Sequence, residues 1–383
     1  MTTVGASGDS PDYYPYLAEI GAAGITGAGS SAASTLSDKV FAVHAYCPIN
    51  NLAHADEGYE WQFNAVRGLT NDITVNGVAT TVALTPPLNG VAYADAASPQ
   101  PAASKAIAST FPAYIAGLGL KLEDGSAFTT DRIPSIILAQ VEKEINERLA
   151  AGTLAIGDGS STATVPAFGG TFTSTSTDFR PPFAVTVKVL PNNWLTLTGS
   201  GTSARVANID YANYLKFVTS ISALKNVVAF DAVGTNGVTG TNSGESNLYG
   251  AATASYSNFM EWTWNNNTIV GDGSGLFDTG LTWSQYLGTT SAGSALAKQL
   301  KLTSPIPYLT SSTSNPAPYW YVRHGMIDRD TSFAIQILLK YAIQDNANVK
   351  ELNFKLPYLT PHSGDYDAKE AFAWIAAKLA AAN

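Results

Sequence analysis

Residues 319–335 read Tyr-Trp-Tyr-Val-Arg-His-Gly-Met-Ile-Asp-Arg-Asp-Thr-Ser-Phe-Ala-Ile. The aromatic and β-branched run 319–324 has strand character and stops at Gly325. Asp328 follows three residues later, and then a helix, with Ile335, Leu338, Leu339 and Ala342 on its core face and Asp330 or Thr331 where an N-cap belongs. Leu352 to Leu356 alternates as a short strand closed by Pro357. A polar loop, Thr360 to Asp367, leads to a final helix whose expected buried stripe is Phe372, Ile375 and Leu379, with Asp367 and Glu370 spaced as a capping box. Strand, helix, strand, loop, helix is the end of an open α/β sheet, and such sheets carry their functional loops at the carboxyl ends of the strands.

Working towards the N-terminus, residues 37 to 49 hold a buried-strand pattern ending at Pro48, and Tyr13, Tyr16, Leu17 and Ile20 have helix spacing. Between them and the last strands the chain is Thr/Ser/Gly-rich. One amphipathic helix stands out there, with Leu138, Val141, Ile145 and Leu149 on one face. Stretches 157–164 and 233–244 are nearly all small polar residues, yet Trp194, Trp262, Trp264 and Trp283 argue for a folded insert. The expected division is therefore 1–84 and 306–383 as two parts of one α/β core, and 85–305 as an inserted lid or substrate domain.

The chain of 383 residues is long enough to bury its own core. One cysteine, Cys47, excludes an internal disulfide and multi-cysteine zinc modules. Charged residues make up 13%, about half the usual share, and the net charge is −9 without a basic cluster, which argues against nucleic acid as a partner. No apolar run approaches the roughly 20 residues that span a bilayer, so no membrane partner is expected. Charge-poor, Thr/Ser-rich composition points to an extracellular or cell-envelope location. No cofactor is implied, and His54-x-Asp56 is too short a pattern for a metal site.

Chemistry concentrates at two strand ends. His362, in Pro-His-Ser-Gly-Asp-Tyr-Asp, follows the last strand, and Asp328 follows the strand before it. In an α/β hydrolase the triad runs nucleophile, acid after a late strand, histidine after the final one, so Asp328 and His362 fit the second and third places. The carboxylate fixes the imidazole tautomer and steadies the imidazolium, and the imidazole moves the nucleophile's proton. His324 reads as a strand-end structural residue rather than a second base, pointing away on the pleat or packing under the loop. The nucleophile should stand in Gly-x-Ser-x-Gly between a strand and a helix, and no serine qualifies. Gly201-Thr202-Ser203-Ala204 comes nearest but is followed by Arg205, and Gly5-Ala6-Ser7-Gly8 leaves no room for a preceding strand.

Three islands of sequence resemble bacterial subtype B tannases, α/β-hydrolase esterases that cleave gallate esters. The first joins Gly5 to Tyr13 with Ala45-Tyr46-Cys47-Pro48-Ile49 and His54 to Trp61; the second is Lys225, Ala229-Phe230-Asp231 and Glu245 to Gly250; the third is Arg323 to Ile335 with Pro361 to Asp367. The resemblance implies the C-terminal portion of an α/β-hydrolase fold with a large lid, Asp328 and His362 as triad acid and base, and Lys225, Glu245 and Asp330 as partners of the galloyl hydroxyls. It also implies that the chain begins just after its catalytic serine, leaving an exposed sheet edge and no turnover by this chain alone. Asp56 and Glu60 are expected only to set a loop and a helix start. A feruloyl or other aromatic esterase, and a non-catalytic polyphenol- or glycan-binding protein, are the competing readings.

Overall fold

The computed structural model describes residues 2–5, 40–75, 78–152, 170–176, 183–189, 194–221, 223–233, 244–250, 256–268, 273–362 and 367–382. The helix expected around Tyr13 to Ile20, and nearly all of 157–164 and 233–244, lie outside these residues.

Strands β1 (Thr2–Gly5), β2 (Ala42–Tyr46), β3 (Tyr319–Arg323) and β4 (Glu351–Lys355) form one parallel sheet in that order. The two ends of the sequence thus build one sheet, and the α/β class read from the sequence holds. Register aligns Tyr46, Arg323 and Lys355, so β2, β3 and β4 finish level and hand their chains to loops on one edge. A strand does precede Gly5-Ala6-Ser7-Gly8, contrary to expectation, because four residues suffice to pair alongside β2; Ser7 itself lies outside the described residues.

Helices α1 (Ala55–Phe63), α2 (Ile133–Ala150), α3 (Tyr211–Ile221), α4 (Phe333–Gln344) and α5 (Ala368–Ala382) surround the sheet. Residues Phe333 to Ile343 of α4 are all buried, as befits a helix apolar on every side. α1 closes on it at Gly58, where a Cβ would stand 2.7 Å from Cγ1 of Ile335. Val141, Ile145 and Leu149 of α2 and Tyr214, Phe217 and Val218 of α3 share one apolar cluster with α4 and β3. The segment between residues 85 and 305 therefore grows out of the same core as the sheet. Elsewhere it forms two-stranded antiparallel ribbons, 170–176 with 183–189 and 195–198 with 205–209, and a third ribbon, 70–75 with 78–83, precedes it. No described helix is long and apolar enough to cross a membrane.

Two sequence expectations about helix ends are corrected. The N-cap of α4 is Ser332, whose Oγ accepts from the amides of Ala334 and Ile335. Asp330 and Thr331 precede it because the carboxylate of Asp328 captures their amides first, delaying the helix. In α5 only Ile375 of the expected stripe is buried, while Phe372 and Leu379 are each 44% exposed. Nor do Asp367 and Glu370 spend their carboxylates on a capping box: both turn to Arg323.

Candidate functional site

β3 ends at the buried Arg323, whose Nε donates to Asp367 at 2.5 Å; the hydroxyls of Tyr46 and Tyr321 donate to the same carboxylate. This anchors the downstream end of the loop that carries His362. Its upstream end is held by backbone bonds, Met326 N–H to Pro357 O and Ile327 N–H to Thr360 O. Gly325 is required here, since a Cβ would lie 2.1 Å from the carbonyl oxygen of Thr360. The sequence Arg323-His324-Gly325 therefore presses the last loop onto the turn that bears Asp328.

In that turn Asp328 N–H donates to Gly325 O, and the buried carboxylate faces back over the strand ends. Oδ1 accepts from the amides of Asp330 and Thr331 at 2.7 and 3.3 Å. Oδ2 lies 2.9 Å from His362 Nδ1 and 3.3 Å from His324 Nδ1, and accepts from the Thr331 hydroxyl at 3.2 Å. Assigning the proton of His362 to Nδ1 leaves Nε2 as the basic nitrogen. Burial alone would raise the Asp328 carboxyl, but its electrostatic coupling to the neighbouring His324 and His362 rings, with the His362 and Asp330 hydrogen bonds, holds it well below the ordinary carboxylate range. Burial pushes His324 down to about 4, against the pull of Asp328, so this second imidazole is neutral.

The sequence-based pair Asp328 and His362 is thus brought together, and His324, read as a structural residue, is buried beside it. Asp330 stands beside the pair with its carboxylate 2.9 Å from Arg329 Nη1. Lys225 and Glu245 lie on other segments, and their charged ends form no ion pair among the described residues. Lys225 Nζ sits 4.5 Å from the Phe230 ring centroid, and Glu245 occupies the first turn of a short helix, Gly244–Leu248.

What holds Lys225 is a set of residues whose role the sequence did not disclose. Asp56, Tyr59 and Glu60 share one face of α1 at i, i+3, i+4. Asp56 accepts from the amides of Ala229, Phe230 and Asp231, which sit more than 170 residues away. Tyr59 donates to Arg329 O at 2.8 Å and accepts from Lys225 N–H at 3.2 Å, so one hydroxyl joins the Asp328 loop to the Lys225 segment. Glu60 pairs bidentately with the buried Arg67, whose Nη1 donates to Lys225 O at 2.9 Å. Asp231 in turn accepts from the amides of Phe259 and Met260, the Thr263 and Ser246 hydroxyls and the Asn258 amide, tying down the neighbour of Glu245. Burial pushes both carboxyls up, Asp56 to about 8 and Asp231 to about 6, against donors that favour the charged form. Two carboxylates and a tyrosine at helical spacing in a charge-poor chain are the available signal.

Ser203, nearest to an elbow by sequence, lies in a turn between two antiparallel strands and donates to Ser200 O, so it has neither the strand-to-helix setting nor a histidine beside it.

No family model matches the sequence, and no curated protein matches it. Solved structures do. The native tannin acyl hydrolase of Lactobacillus plantarum matches at 25% identity and a TM-score of 0.63, over 98% of this chain and 65% of that one. Tannin acyl hydrolase in complex with ethyl gallate matches at 26% identity and a TM-score of 0.62, over 98% of this chain and 64% of that one. The tannase of Fusobacterium nucleatum, at 22% identity, a TM-score of 0.59 and 98% and 66% coverage, shares the fold. The chain resembles bacterial tannases along nearly its whole length, and spans about 65% of the length of the first of them.

Proposed function

We propose that this chain belongs to a tannase-type carboxylic ester hydrolase, that Asp328 and His362 are its acid and base, and that its substrates are galloyl esters. The observation that carries this reading is the 2.9 Å bond from His362 Nδ1 to a buried, ionised Asp328 at the level carboxyl ends of the parallel strands. In such a reaction Nε2 of His362 takes the proton of a serine hydroxyl as its oxygen attacks the ester carbonyl. Asp328 steadies the imidazolium, which then protonates the departing alcohol. Water, activated by the same nitrogen, releases gallate from the acyl-serine.

Lys225, Glu245 and Asp330 are the proposed partners of the three ring hydroxyls. Support comes from the Tyr59 bridge between the Lys225 and Asp328 segments, and from charges on Lys225 and Glu245 that form no ion pair among the described residues. A site that satisfies such hydroxyls rejects esters lacking them, by ~10⁴ or more in favourable cases. Residues 85–305, which supply Lys225 and Glu245, are the proposed lid.

This reading places no nucleophile among these 383 residues, because none of their serines stands in Gly-x-Ser-x-Gly. One observation favours a second reading: β1, next to β2 in the sheet, runs directly into Gly5-Ala6-Ser7-Gly8, which would make Ser7 the nucleophile. Methyl gallate turnover separates the two. The purified chain is expected to show none. Turnover abolished by Ser7→Ala would establish Ser7, and preference for ferulate or acetyl esters over gallate would contradict the substrate assignment.

A further inference from the structure

We propose that Cys47, His324 and Asp328 form a binding site for a thiophilic divalent cation of the zinc class, directly behind the carboxylate that holds His362. Cys47 follows β2 and His324 follows β3, and the register that pairs Tyr46 with Arg323 sets the two side by side. The 325–328 turn then brings Asp328 back over them. One sulfur, one ring nitrogen and one carboxylate oxygen from these residues lie within 4.8 Å of one another, and all three residues are fully buried.

His324 Nδ1 is already 3.3 Å from Asp328 Oδ2. Two ligands held by tetrahedral zinc at about 2.0–2.2 Å stand roughly 3.4 Å apart, so this pair needs no rearrangement. No competing bond occupies the rest of the ring, for Nε2 of His324 has no hydrogen-bond partner among the described residues. A thiolate, an imidazole and a carboxylate suit zinc or cadmium, whereas magnesium and calcium take oxygen donors. Spacing in the sequence concealed the site because its ligands come from two strand ends 277 positions apart (324 − 47) and from a turn.

On binding, the Cys47 thiol gives its proton to solvent and a metal–sulfur bond replaces it. Oδ2 of Asp328 becomes a ligand, so its bond to His362 Nδ1 weakens or breaks. The second step makes the cation an inhibitor of the acid–base pair; that consequence rests on the esterase reading, and the binding itself does not.

The test is titration of the 383-residue chain with cadmium, followed by the ultraviolet charge-transfer absorption of a cadmium–thiolate bond, with zinc as competitor. One saturable equivalent is expected, lost in Cys47→Ala and in the closer-sized Cys47→Ser, and at least tenfold weaker in His324→Phe, with unchanged circular dichroism. Cadmium uptake without the thiolate band, or a band indifferent to His324→Phe, would overturn the site. Neither outcome depends on ester turnover, so failure here and failure of the esterase reading are distinguishable.

Discussion

Asp328 collects donors from two imidazoles, one hydroxyl and two amides, and it is this concentration that keeps a fully buried carboxylate charged. The cost falls on His324, which is buried in the same place and cannot afford its proton. Its folded value of about 4 lies below the ordinary 6.5, so between those pH values the folded state binds fewer protons than the unfolded one. Stability from this group is complete above pH 6.5 and is lost as pH falls towards 4. The shift corresponds to about 3 kcal/mol for so buried a ring. Urea unfolding with a chelator present should therefore show a slope over that range that is flattened in His324→Phe; parallel wild-type and variant curves would contradict the assignment.

At the scale of elements, α1 decides where the segment bearing Lys225 lies. The Glu60–Arg67 pair beneath it has both side chains at 0% exposure. Breaking such a pair on one side strands a charge, so Arg67→Met should cost about 3–5 kcal/mol in denaturant unfolding. The exposed pair Lys143–Glu147, at 3.9 Å, serves as control, and Lys143→Met should cost less than about 1 kcal/mol. Equal losses would mean that Arg67 anchors nothing. These elements also show what the sequence could disclose. The strand and helix patterns at 319–356 are local, because hydrophobic period and turn residues lie next to each other, and the pairing of Asp328 with His362 could be anticipated from them and the loop that follows. The start of α4 was misread because Asp328 diverts two amides, a side-chain choice no periodicity records. Phe372 and Leu379 have the spacing of a buried stripe, but α5 turns Ala368, Ala371 and Ile375 inward instead. Asp56, Tyr59 and Glu60 could be seen as a cluster, yet the partners of Asp56 and Tyr59 are more than 150 residues away along the chain, so their purpose becomes visible only in three dimensions.

Across the whole molecule, the first and last parts of the chain supply the sheet, and the middle supplies residues that lean over its carboxyl edge. β1 forms one border of the described sheet, opposite β4. The proposed chemistry needs a serine at that border, a base at the other side, and an acid between core and loop. Asp328 and His362 are the residues proposed for the last two.

The decisive measurement is the effect of Asp328→Asn, which keeps the shape of the carboxylate and removes its charge, on methyl gallate turnover by an active enzyme that contains this chain. Loss of kcat by about 10⁴ with KM nearly unchanged is predicted, as expected when an imidazole loses the group that fixes its tautomer. A variant that hydrolyses the ester at the wild-type rate would show that Asp328 and His362 are not the acid and base of this protein.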